Sequence, residues 1–185
     1  MSYKNENMKM IELHENGLDI QFRIRENGVV ELADFSSQEV KKAVMEPKED
    51  ICYPAVEIHR SGTGSLNMHA YKNNINQSSV DFVYENHELK AQAGGKELEI
   101  VMISPEKLKA VYHMRLFDGV PAVQTWTEII NEGSEDQGLT YVSSFMYQGI
   151  SRGGEKPYYK KTDIYVPFNS WCCEAQWQKY DAETL

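Results

Sequence analysis

The feature that most limits what this chain can fold into is two-residue alternation, which recurs in four separate segments. Leu18, Ile20, Phe22 and Ile24 are apolar, and the residues among them, Asp19, Gln21, Arg23 and Arg25, are polar. A period of two places each set on one face of an extended strand, with one face on a core and the other in water. The pattern returns with Val80, Phe82 and Tyr84 set against Asp81, Val83 and Glu85, and with Leu98, Ile100 and Met102 set against Glu97 and Glu99. It returns again with Ala110, Tyr112, Met114 and Leu116 set against Lys109, His113 and Arg115. On this reading His113 lies on a wet face.

Turn signals separate the runs at strand-length spacing. Glu15-Asn16-Gly17 and Glu26-Asn27-Gly28 carry Asn-Gly, a pair suited to tight hairpins because both turn positions require positive φ. Ala93-Gly94-Gly95, Asp118-Gly119 and Asn131-Glu132-Gly133 are similar. Counting from turn to turn predicts roughly eleven to thirteen strands. That many antiparallel strands do not stay in one open sheet without curling or splitting. The predicted fold is therefore all-β: a large two-sheet antiparallel β-sandwich forming a single domain over residues 1–185. Only Ser36-Ser37-Gln38-Glu39, a capping-box pattern followed by Val40, Ala43 and Val44 and stopped by Pro47, has a helical look. Residues 151–161 are the expected long loop, and 163–168 and 170–178 the last two strands. The stop at Leu185, close behind a Trp-rich strand, suggests a domain cut from something longer.

Composition excludes several classes of function. The net charge of −9 argues against a nucleic-acid partner, which needs a basic stripe. No run of apolar residues is long enough to cross a membrane as a helix, and residues 1–10 lack the pattern of a signal peptide. The expected location is the cytoplasm, or else a leader has been removed. Cys52, Cys172 and Cys173 are read as reduced thiols, since adjacent cysteines seldom bond to each other. No cofactor or metal is expected. His59 and His69 meet if a hairpin is centred on Gly62–Gly64, but a third ligand is not evident. The 28 carboxylates show no spacing that marks a catalytic pair.

Aromatic residues are the stronger lead. Tyr158, Tyr159, Tyr165, Phe168, Trp171, Trp177 and Tyr180 crowd one stretch. Such rings offer a flat apolar face to the C–H side of a sugar. The first reading of Trp171 and Trp177 is a core that bridges two sheets; the alternative is a ligand face for one of them.

Several segments together resemble the N-terminal β-sandwich domain of family-36 glycoside hydrolases, the α-galactosidases. They are the opening hairpin from Gly17 to Phe22 and from Gly28 to Leu32, and the strands from Tyr112 to Phe117 and from Ala122 to Asn131. The second pair, ending Thr127-Glu128-Ile129-Ile130-Asn131-Glu132-Gly133, is similar to the family's long hairpin that closes on an Asn-x-Gly turn. Ser170-Trp171-Cys172-Cys173-Glu174 is similar to its Trp-x-x-Glu segment. The resemblance implies a large supersandwich-like fold, followed in the whole protein by a (β/α)₈ barrel that holds the catalytic aspartates. No catalytic residue is therefore expected in this chain.

The stretch from Tyr53 to Arg60 is similar to a drifted Tyr-Pro…Asp-x-Arg loop, which in the family reaches a neighbouring subunit's active site. Ile58 or His59 stands near the Asp position, so Arg60 alone carries over. Residues 53–64 are expected to project as a loop, with His59 and Arg60 as donors to sugar hydroxyls. Together with Trp171 these are the candidate substrate-binding residues. The functional expectation is a non-catalytic N-terminal domain of an α-galactosidase-type hydrolase, its partners a galactoside, its own barrel and further copies of itself. The alternative expectations are a free-standing carbohydrate-binding module and a purely structural interaction domain.

Overall fold

The computed structural model describes residues 9–37, 52–64, 77–147 and 163–181. Eleven strands and one single-turn helix account for the regular structure of these residues. The expected all-β antiparallel sandwich is what forms. The chain divides into two compact units, one of residues 1–39 with 44–148 and one of 40–43 with 149–185.

In the first unit, β1 (Lys9–Glu15), β2 (Leu18–Ile24) and β3 (Val30–Ser37) form an antiparallel three-stranded sheet in the order β1-β2-β3. Asn16 and Gly17 connect the first two with φ of 54° and 81°, the left-handed pair that Asn-Gly predicts. A register shift between Gln21 and Phe22 brings Leu32 opposite Phe22 and Asp34 opposite Gln21. A four-stranded sheet follows, order β5-β6-β7-β8, from β5 (Val83–Gln92), β6 (Gly95–Ile103), β7 (Leu108–Phe117) and β8 (Val120–Asn131).

The two sheets share one core, the expected result of burying the apolar set of each alternation. Ile20 and Phe22 from β2, Leu98 and Ile100 from β6, and Ala110, Tyr112 and Met114 from β7 are all buried within it. The Phe22 and Tyr112 rings meet edge-on with centroids 5.7 Å apart. Gly28 joins the sheets at one corner. Its carbonyl accepts the Tyr84 N–H at 2.8 Å, its φ is 86°, and a Cβ there would stand 2.8 Å from the Val83 Cβ. Only glycine fits both the turn and the approach.

Three expectations are corrected. Residues 80–82 are not a strand: Gln77–Val80 is helix α1, and β5 begins after the buried Phe82. Ser36 and Ser37, the proposed helix cap, are the last residues of β3, while the remainder of that helical pattern lies outside the described residues, as do 151–161. Nor do residues 53–64 project as a free loop. Ala55, Val56 and Ile58 enter the core, the Ala55 N–H donates to the Val30 carbonyl at 2.7 Å, and Ile58–Arg60 is strand β4, paired with β9 (Leu139–Val142). The second side of β4 is held by α1. Ser78 and Ser79 donate hydroxyl hydrogen bonds to the Ile58 carbonyl at 2.6 and 2.9 Å, and the Ile58 N–H donates back to the Ser79 Oγ at 2.8 Å.

This covering segment also reverses an expectation about β2. Arg23, read as wet, is buried, because Glu31 across the register and the segment that follows Cys52 close over it. Arg23 Nε and Arg25 Nη1 each donate to the Glu31 carboxylate at 3.1 Å, and the Tyr53 N–H donates to it at 2.9 Å.

The second unit is described through one hairpin, β10 (Asp163–Ser170) with β11 (Cys173–Asp181), turning at Trp171 and Cys172. Among the described residues no helix is long and apolar enough to cross a membrane.

Candidate functional site

The outer face of the four-stranded sheet carries the densest chemistry. The turn at residues 104–107 fixes the β6–β7 register, so that Glu99 stands opposite His113, with Glu97 two residues along on the same face. The β7–β8 register places Trp126 opposite His113. The two rings stack nearly parallel, centroids 4.6 Å apart and planes 5° from coincidence. Under that indole His113 is only 7% exposed, so its expected place on a wet face is corrected: β8 brings a flat cover that β7 alone does not reveal.

Three carboxylates surround the imidazole. Nδ1 lies 2.9 Å from Glu97 Oε1 and 3.9 Å from Glu99 Oε1, and Nε2 lies 3.8 Å from Glu128 Oε2. A carboxylate only accepts, so the 2.9 Å contact puts a proton on Nδ1. Nε2 is buried and makes no hydrogen bond among the described residues. Lys90 Nζ donates to the other oxygen of Glu99 at 2.5 Å, and this bond raises the lysine's pKa. Glu97, Glu99 and His113 together present three donor atoms within 4.8 Å of one another, a set able to hold a metal ion.

The residues singled out in the sequence lie elsewhere. Arg60 is buried, its Nη2 donating to Asp81 Oδ2 at 3.0 Å and its Nη1 lying 2.7 Å from Glu106 Oε2. Burial pushes the Glu106 carboxyl up, but hydrogen bonds from its own backbone, from Ser104 and from Arg60 outweigh it and hold the group below its ordinary value. Glu106 lines an open cleft of about 490 Å³ with Lys107, Glu132 and Glu135. His59 is half-buried. Its Nε2 is 3.0 Å from Glu57 Oε1, and its ring lies 5.1 Å from that of Tyr141. His69 is outside the described residues.

Trp171 sits at the β10–β11 turn, 94% exposed, and Trp177 is 64% exposed; the reading of both as core is corrected. Among the described residues β10 and β11 pair only with each other, and a two-stranded ribbon has no core of its own. Pro167 pairs with Trp177 and Tyr165 with Lys179, so Tyr165 and Trp177 share one face, where Lys179 bonds Asp163 at 2.9 Å. Neither the Trp126–His113 stack nor its carboxylates was singled out from the sequence. The signal was there in the register, since a turn placed at Pro105-Glu106 sets Glu99 beside His113. No protein-family model matches this chain, and no curated protein matches it.

Proposed function

We propose that this chain is the non-catalytic N-terminal β-sandwich domain of an α-galactosidase-type glycoside hydrolase, supporting a catalytic barrel and the assembly of copies. The observation that carries the reading is the β7–β8 pairing. The two segments that bear the family resemblance pair in register from Leu108–Asn131 to Leu116–Val123, and the Gly133 N–H donates to Asn131 Oδ1 at 3.0 Å in the Asn-x-Gly turn that follows. Of the three candidate sugar contacts, Trp171 is the one presented to solvent. Arg60 already has two carboxylate partners, which favours a positioning role over direct donation to a sugar.

A second reading, a sugar-binding module in its own right, is favoured by one feature. Tyr165 and Trp177 share an exposed hairpin face beside an Asp–Lys pair, an arrangement of flat apolar rings flanked by polar groups that suits a sugar ring. One experiment separates the readings. The 185-residue chain and the whole product of its reading frame are assayed with a chromogenic α-galactoside, and galactoside binding to the chain is followed by calorimetry. Turnover by the whole product alone, with a barrel encoded beyond Leu185, supports the first reading. Saturable binding by the chain that Trp177→Ala abolishes, with no turnover by either, supports the second. Turnover by the isolated chain overturns both.

A further inference from the structure

We propose that Glu97, Glu99 and His113 form a binding site for a divalent cation of the zinc type on the outer face of the four-stranded sheet. One imidazole nitrogen and two carboxylate oxygens are the donor set that borderline metals such as Zn²⁺, Co²⁺ and Cu²⁺ accept. The three donors come from adjacent, fully paired strands, β6 and β7, and so are held on rigid elements. Their atoms lie within 4.8 Å. Metal bonds of about 2.1 Å in tetrahedral geometry call for donors about 3.4 Å apart, so the 2.9 Å Nδ1–Glu97 contact has to open and the 3.9 Å Nδ1–Glu99 contact to close, each by about 0.5 Å.

The buried imidazole gives the independent indication. Without a cation, the Nδ1 proton is directed at Glu97, which leaves Nε2 buried, without a hydrogen bond among the described residues, and 3.8 Å from the Glu128 carboxylate. A neutral ring then turns a lone pair towards a carboxylate, and a cationic ring has an N–H whose nearest acceptor is beyond hydrogen-bond reach. A metal on Nδ1 displaces that proton, and the neutral ring then carries its proton on Nε2, turning an N–H rather than a lone pair towards the Glu128 carboxylate 3.8 Å away, the kind of group commonly found behind ligating histidines. The charges also suit the ion. Glu97, Glu99 and Glu128 surround the ring, and the facing cation, Lys90, binds Glu99 through the oxygen that does not approach the imidazole. Arg115, also on this face, directs Nη2 to the Ala93 carbonyl instead. Trp126 covers the ring and fixes its plane.

The test uses the full chain carrying Cys172→Ser and Cys173→Ser, because exposed thiols bind zinc themselves. Titration with ZnCl₂ near neutral pH is expected to show one saturable equivalent and a Tm that rises with zinc concentration. Glu99→Gln, at a half-buried position, is expected to weaken binding by more than about 10-fold, and Glu128→Gln by about 10-fold through the ring. A second readout does not depend on these variants folding well. With Trp171→Phe and Trp177→Phe added, Trp126 is the one indole left, and Cu²⁺ at His113 is expected to quench its fluorescence in a saturable way. Absence of saturable zinc binding, or binding and quenching that Glu99→Gln and Glu97→Gln leave unchanged, overturns the proposal.

Discussion

Two hairpins in this molecule are built from the same kind of sequence and end differently. In β1–β2 the apolar residues Ile11, Leu13, Ile20 and Phe22 are buried, whereas in β10–β11 Tyr165, Phe168 and Trp177 are exposed. Both are rich in apolar residues, both have a tight turn, and the second has the larger side chains. The difference is a second layer. The first hairpin gains β3 on its edge and faces the four-stranded sheet across the core, while among the described residues the second is a two-stranded ribbon on which Tyr165, Phe168, Trp171 and Trp177 are exposed. Burial thus depends on what is laid over a face, and alternation states only which residues are available for it.

The largest expected effect tests that contrast directly. Phe22→Ala should cost about 3–5 kcal/mol in denaturant unfolding, because the ring is fully buried against Tyr112. A loss under about 1 kcal/mol would mean that the first hairpin is no better covered than the last. Next comes the polar side of the same sheet. Glu31→Gln leaves the buried Arg23 facing an amide, and about 3 kcal/mol should be lost. Equal stability of the two proteins would show that the cover laid down by residues 52–57 is loose there.

A smaller effect is set by pH. Because the folded Glu106 carboxyl is held below its ordinary value, its contribution is complete above the unfolded value and is lost as pH falls through the folded one. Glu106→Gln should therefore be less stable than the parent at neutral pH, by no more than about 1 kcal/mol for so exposed a carboxylate, and the gap should narrow in acid. A gap that widens in acid would reverse the sign. The smallest effect belongs to the ribbon: Trp177→Ala should change global unfolding by less than about 0.5 kcal/mol. A cost matching that of Phe22→Ala would erase the distinction between the hairpins.

Much of the fold was legible for a local reason. The core faces of β2, β6 and β7 follow from neighbouring residues alone, as do the turns at Asn16-Gly17 and Asp118-Gly119. What was not legible came from distant chain. Arg23 is buried by residues beyond Cys52, and His113 by Trp126 of the next strand, and neither cover has a local signature. The exposed tryptophans failed in the opposite sense, since large apolar side chains were taken to imply a partner. Of the named site residues, Arg60 belongs to an ion-pair network that needs Asp81 and Glu106 from two other segments. The Glu97–Glu99–His113 cluster needed only a strand register, but that register rests on a turn at residues 104–107 with no Asn-Gly to mark it.

The serine pair of α1 has one more consequence. A three-residue strand with a bare side is an open template on which another chain can add itself. Here the Ile58 N–H and carbonyl on that side are already taken by two side-chain hydroxyls. The hydroxyls act as a stopper: they satisfy the strand without offering a further row of N–H and C=O groups, so the sheet cannot grow past them. Ser78→Ala with Ser79→Ala would strip these partners from the buried Ile58 peptide groups, at a cost in stability of about 1–3 kcal/mol.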